Sequence, residues 1–164
     1  MSTHKRRRPT HVHTYTILDE LMASPTAPLP DAKRLHQLTR MYSGLRALET
    51  ATDPSPDDWR MCSDAVNLME TLVLEMRVCA DTDGLLMDAV AALAKAGKRH
   101  MAGGPIRMDG PGTQAMRAVL QEYAYLLDIL PHRTIIHCHR LTERRIRAIF
   151  AGKVQPHDVE VIDL

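Results

Sequence analysis

The chain predicts an all-α protein, a four- to five-helix bundle preceded by a flexible basic N-terminal tail. Three observations carry that expectation. Apolar residues recur at three- and four-residue steps through every long segment, and none of those segments alternates at period two. The chain has 164 residues, 45% of them apolar and 25% charged, which suits one globular domain with a core of its own.

Residues 1–30 read as a leader rich in Arg, Thr and Pro, in which Pro25, Pro28 and Pro30 prevent a continuous helix but leave room for a helical turn at Ile17 to Met22. The domain proper spans 31–152. Its first helix starts with Asp31 as N-cap and runs to about Ala51, placing Leu35, Leu38, Tyr42, Leu45 and Leu48 on one face. The second has the strongest start signal in the chain: Ser55 as N-cap, Pro56 at the first helical position, then Asp57 and Asp58 where the helix dipole favours negative charge. Behind it Trp59, Cys62, Val66, Met69, Val73 and Met76 form a core seam, and this is the expected central helix.

A third helix is predicted from about Asp81 to Asp83, burying Leu86, Val90 and Leu93 and fraying past Gly97 before Gly103-Gly104-Pro105. Ile106 to Gly112 reads as a turn or short extended piece. The fourth helix carries Met116, Val119, Tyr123, Leu126 and Leu130 and stops at Pro131; the fifth, from about Thr134 to Ala151, carries Ile135, Ile146, Ile149 and Phe150 and stops at Gly152. Residues 153–164 form a C-terminal tail too short to assign.

No apolar run reaches the roughly 20 residues of a membrane helix, since Asp88 breaks the candidate from Leu85 to Ala94. An apolar stretch of the secretory type is not found behind Lys5-Arg-Arg-Arg-Pro9. The expected location is cytoplasmic. The three cysteines form no CxxC pair and read as reduced, with Cys62 as a small core residue; Cys62 and Cys79, seventeen residues apart on one predicted helix, would be roughly 25 Å apart.

His132, His137, Cys138 and His139 crowd together, and His11 and His13 make a second pair. Zinc needs ligands converging at i,i+3 or i,i+4 on a helix, which only His139 with Glu143 provides, without an obvious third ligand. The reading is therefore no metal and no cofactor. Nucleophilic catalysis finds no GxSxG elbow or activated cysteine, and Gly103-Gly104 and Gly110-Pro111-Gly112 match no phosphate-binding loop. Asp81, Asp83 and Asp88 do not have EF-hand spacing.

Charge is the clearer signal. From Asp53 to Asp88 nine acids face Arg60 and Arg77, whereas from Pro131 to Lys153 six Lys/Arg face Glu143 alone. Arg140, Arg144 and Arg147, at three- and four-residue steps, would form a basic ridge, with Lys5, Arg6, Arg7 and Arg8 alongside it to follow a phosphate backbone. The alternative contact face is acidic, around Asp57, Asp64 and Asp88. Opposite charges could also meet inside the fold or across a homodimer. With one Trp, one Phe and four Tyr, several at core positions, stacking on single strands is disfavoured while duplex contact stays open.

In Lys5-Arg-Arg-Arg-Pro9, Trp59-Arg-Met-Cys-Ser-Asp-Ala-Val-Asn-Leu-Met-Glu70 and Leu141-Thr-Glu-Arg-Arg-Ile146 the chain resembles small uncharacterised helical proteins encoded by proteobacterial phages and prophages. The resemblance covers most of the chain and implies a bacterial host cytoplasm and an accessory role: gene regulation, host takeover or anti-defence. It brings no catalytic residue. The leading expectation is a non-enzymatic protein that binds a host or phage protein through its charged faces. The alternatives are a DNA- or RNA-binding regulator using the last helix and basic tail, and an enzyme whose site assembles only in three dimensions.

Overall fold

The computed structural model describes residues 14–153, so Lys5, Arg6, Arg7, Arg8 and residues 154–164 lie outside the described residues. Within the described residues the fold is all-α, with six α-helices where four or five were expected: α1 (Ile17–Met22), α2 (Asp31–Thr50), α3 (Pro56–Glu70), α4 (Leu85–Met101), α5 (Gly110–Ile129) and α6 (His132–Phe150). Among the described residues no strand forms; Pro28 and Pro131 make an isolated antiparallel bridge. No helix among them is long and apolar enough to cross a membrane.

The central helix is α3, which packs against α2, α4, α5 and α6. Its start follows local chemistry, for Ser55 Oγ accepts from the Asp58 N–H and the Asp58 carboxylate accepts from the Ser55 N–H, a reciprocal capping box. Trp59, Cys62, Val66 and Met69 are buried as expected, and the Trp59 indole donates to the Leu93 carbonyl of α4 at 2.9 Å. The predicted seam then slips. Thr71–Glu75 form a π-helical turn, whose extra residue rotates the register so that Leu72 is fully buried while Val73 and Met76 are only partly so.

Two glycines set helix spacing. A Cβ at Gly44 would lie 2.7 Å from the Asp58 carbonyl oxygen, and one at Gly112 would lie 2.4 Å from Ala92 Cβ, so α2 meets α3, and α5 meets α4, at backbone distance. This rotates α2 relative to expectation: Met41, Gly44, Leu45 and Leu48 face the core, while Leu35 and Tyr42 are exposed. Asp31 is the first helical residue rather than the cap, which is Pro30.

α4 does not fray at Gly97. That residue is buried within the helix, which runs on to Met101 after a 3₁₀ turn at Thr82–Gly84. Asp81 substitutes for a cap by accepting from the Leu86 and Met87 N–H groups. α5 starts at Gly110 behind Asp109, whose side chain accepts from the Gly112 N–H; this places residues read as a loop inside a helix. At the end of α6 Gly152 has φ +66° and the N–H groups of Gly152 and Lys153 close on Ile149 and Ala148, while Phe150 is exposed rather than core. The leader boundary at residue 30 does not mark an edge of packing, since Ala23 and Leu29 are buried and Arg133 N–H donates to the Ser24 carbonyl.

Candidate interaction surface

The basic helix is α6, and the structure divides its arginines into two groups. The first group is tied down. Arg145 donates to the Asn67 carbonyl and the Glu70 carboxylate, both at 3.0 Å, and lies 3.4 Å from Glu75. It thus occupies a carbonyl at the α3–π junction and neutralises two acids of the acidic middle. Burial raises the Glu70 carboxyl even though Arg145 opposes the shift. Next to it Thr71 and Thr142 share a buried hydroxyl hydrogen bond of 2.6 Å, and Cys138 Sγ contacts the Leu68 carbonyl at 3.5 Å.

Arg140 is also tied down, and this changes the expected ridge. Its guanidinium pairs with Glu20 of α1, whose other carboxylate oxygen lies 3.0 Å from His137 Nδ1. Burial works against the Glu20 charge, but Arg140 and His137 outweigh it and hold the carboxyl below its usual range. Arg133 extends the seam by donating to the carbonyls of Leu21 and Ala23. α1 therefore docks on α6 by its polar side. Beside it Gln37 of α2 connects the Tyr123 hydroxyl to His139, which meets the Tyr15 ring edge-on at 5.2 Å.

The second group faces solvent. Arg144 is exposed, and Arg147, at 72% side-chain exposure, pairs among the described residues only with Glu143 one turn away on its own helix. Together with Arg140 and Glu143 they line a shallow cleft of about 500 Å³ whose other wall is Thr14, Tyr15, Thr16 and Ile17. Arg144 and Arg147 thus remain exposed to solvent, whereas Arg140, which also lines the cleft, is held in an ion pair with Glu20.

The acidic face separates in the same way. Asp57 is exposed beside Arg60, and Asp88 is exposed on α4. Asp64 is half-buried, and burial raises its carboxyl to about 6 against the pull of Arg40 and Arg60, so it does not share an open face with the other two. The metal candidates are also spoken for: His139 hydrogen-bonds Gln37 and Glu143 pairs with Arg147. Among the described residues no three His, Cys, Asp or Glu side chains converge as a metal site. Cys62 and Cys138 are buried thiols, raised to about 12 chiefly by burial, and Cys79 is raised for the same reason. No family model, curated protein or solved structure matches this chain.

Glu20, Arg133 and Gln37 escaped sequence reasoning because their partners lie up to 120 residues away. One local signal did exist. Thr16-x-x-Asp19 is the same capping pattern as Ser55-x-x-Asp58, and it marks the start of α1.

Proposed function

We propose that this chain is a non-enzymatic interaction protein that uses Arg144 and Arg147, at the rim of the α1–α6 cleft, to hold an acidic surface on a protein partner. The observation that carries the reading is the division of α6: its other arginines are consumed by Glu20, Glu70, Glu75 and backbone carbonyls, while these two point out beside a cleft. In keeping with the resemblance to phage-encoded proteins, the setting proposed is an accessory role in a bacterial host cell, as a regulator, a host-takeover factor or an anti-defence protein.

Duplex binding is the second reading, supported by the same two arginines together with Lys5, Arg6, Arg7 and Arg8. It is weaker because the helical ridge has lost Arg140 to Glu20 and is left with two cations, one shared with Glu143, so most of the charge it needs would have to come from the N-terminal segment. The test uses the wild-type chain and an R144E/R147E variant as paired baits for crosslinking and capture, together with titration of a short duplex at low and moderate salt. A protein captured by the wild type and lost by the variant supports the first reading. Tight, salt-sensitive duplex binding lost in the variant supports the second, and identical behaviour of the two baits in both assays overturns both.

A further inference from the structure

The strongest unexplained feature is the orientation of α1. Ile17, Leu18, Leu21 and Met22 stand at i, i+1, i+4 and i+5, which at about 100° per residue puts them on one arc of roughly 140°. All four face outward, at 63, 64, 64 and 79% exposure, while Glu20 on the opposite side is anchored to Arg140 and His137. The helix is an apolar ridge held onto the fold by a carboxylate. Such a ridge covers on the order of several hundred Å², the size that on a soluble protein marks an interaction surface.

The same chain carries a matching depression. Between α2 and α5 a groove of about 430 Å³ is lined by Ala32, Leu35, Leu38 and Ala124 and rimmed by Asp31, Arg34 and Asp128. Leu35 is 67% exposed there, and Tyr125 and Ile129 are exposed on the same stretch of α5. Charge agrees with shape. Asp31 and Asp128 share the single cation Arg34 at the groove, leaving it one net negative charge, whereas Arg133 sits against the C-terminal end of the ridge through the Leu21 and Ala23 carbonyls.

We infer that the occupant of each is a second copy of this chain, in a two-fold dimer where α1 of one protomer seats in the α2–α5 groove of its partner, and reciprocally. Area favours this over α1 packing on α1. A ridge-to-ridge contact would bury one patch from each protomer, below the roughly 1,200 Å² total of a stable interface, whereas reciprocal ridge-in-groove contact uses two patches from each and enters that range. Ile17 also lines the α1–α6 cleft, but Arg144 and Arg147 belong to its α6 wall and lie outside the apolar centre of the contact, so charge reversal at these two arginines separates this assignment from the partner-binding reading.

Sedimentation equilibrium on the full chain tests the assignment. The wild type should approach twice the chain mass of 18.4 kDa with rising concentration, and added salt should change this little because the contact is mainly apolar. Leu21→Asp and Leu35→Asp should each weaken self-association at least tenfold, with the helical circular dichroism signal unchanged since both side chains are exposed. Mixing the two variants should give association tighter than either variant alone but weaker than the wild type, because the mixed pair keeps one of the two ridge-in-groove contacts intact. R144E/R147E should dimerise like the wild type. A wild type that is monomeric throughout overturns the proposal, including one that instead cosediments with phosphatidylglycerol vesicles through Leu21. Loss of the dimer with Leu21→Asp but not Leu35→Asp also overturns it, in favour of ridge-to-ridge packing.

Discussion

α1 and α3 begin with the same device and end in opposite situations. Thr16 and Asp19 form the capping box of α1, Ser55 and Asp58 that of α3, with the same reciprocal pair of side-chain to backbone hydrogen bonds. Yet α3 buries seven of its fifteen residues and α1 buries none of its six. A cap fixes where a helix starts. Which face it turns inward depends on what the rest of the chain offers, and α1 is offered Arg140 and His137, a polar site that takes Glu20 and leaves the apolar arc outside.

The difference should appear first in the cost of a misplaced charge. Met69→Asp places a carboxylate in the core beside α3's buried seam, and the loss should be several kcal/mol, enough to abolish cooperative unfolding in a denaturant titration. Leu18→Asp, equally apolar to polar but on the exposed arc of α1, should move the unfolding free energy by no more than about 0.5 kcal/mol at concentrations where the chain is monomeric. Equal losses would show that α1 belongs to the same cooperative unit as α3.

Next in size is the anchor at the end of α3. Arg145→Met leaves Glu70 buried without its cation and removes one of the donors to the Asn67 carbonyl, for a loss of about 3 kcal/mol. The corresponding change at α1, Arg140→Met, leaves the carboxylate of Glu20 at a more open seam. Its effect should be confined to faster amide exchange in residues 17–22, with the global transition kept within about 1 kcal/mol. A global loss matching that of Arg145→Met would erase the distinction between a core anchor and a surface one.

These two seams also show where sequence reading succeeds and fails. The start of α3, the stripe from Trp59 to Met69, and the faces of α5 were legible because they rest on interactions within one turn or on a regular 3.6-residue period. The exchange of Val73 for Leu72 was not, because a π turn breaks the period itself, and what sustains it is Arg145 and Thr142 reaching over from α6. The basic ridge was legible as spacing. Its depletion was not, since nothing near Arg140 in sequence announces Glu20, and a short apolar hexapeptide carries no sign of which side will face the fold. Likewise Leu35 fits the helical period but falls on the wrong side, because Gly44 draws α2 against α3 along a different line.

Stability should also depend on pH through Asp64. Burial lifts its carboxyl from 3.8 to about 6, so the folded chain holds that proton more tightly than the unfolded one. The contribution is therefore favourable below about pH 4 and is lost as pH rises through about 6. Asp64→Asn should flatten this part of the profile and raise stability at pH 7 by about 1 kcal/mol, read from denaturant midpoints across the window. The Glu20 anchor has the opposite sign. Its carboxyl is held low, so docking of α1 is favoured above the ordinary carboxylate range and weakens as pH falls through the depressed value.

The smallest effect separates the two caps themselves. Ser55→Ala removes the side-chain acceptor for the Asp58 N–H at the head of a helix whose folding is inseparable from the core, and the global unfolding free energy should fall by about 1 kcal/mol. Thr16→Ala removes the same bond from α1, where six residues and no buried apolar side chain supply little cooperativity with the rest. Its cost should be borne locally, as amide exchange accelerated about fivefold in residues 17–22 while the global midpoint stays fixed. If α1 is covered by a second copy, that local cost becomes a dimer cost borne by both α1 helices: Thr16→Ala should then weaken self-association by up to about twenty-fivefold while the monomer's midpoint still does not move. A midpoint shift as large as that of Ser55→Ala, measured where the chain is monomeric, would mean that α1 is integral to the core and that the difference between the two helices is one of exposure alone.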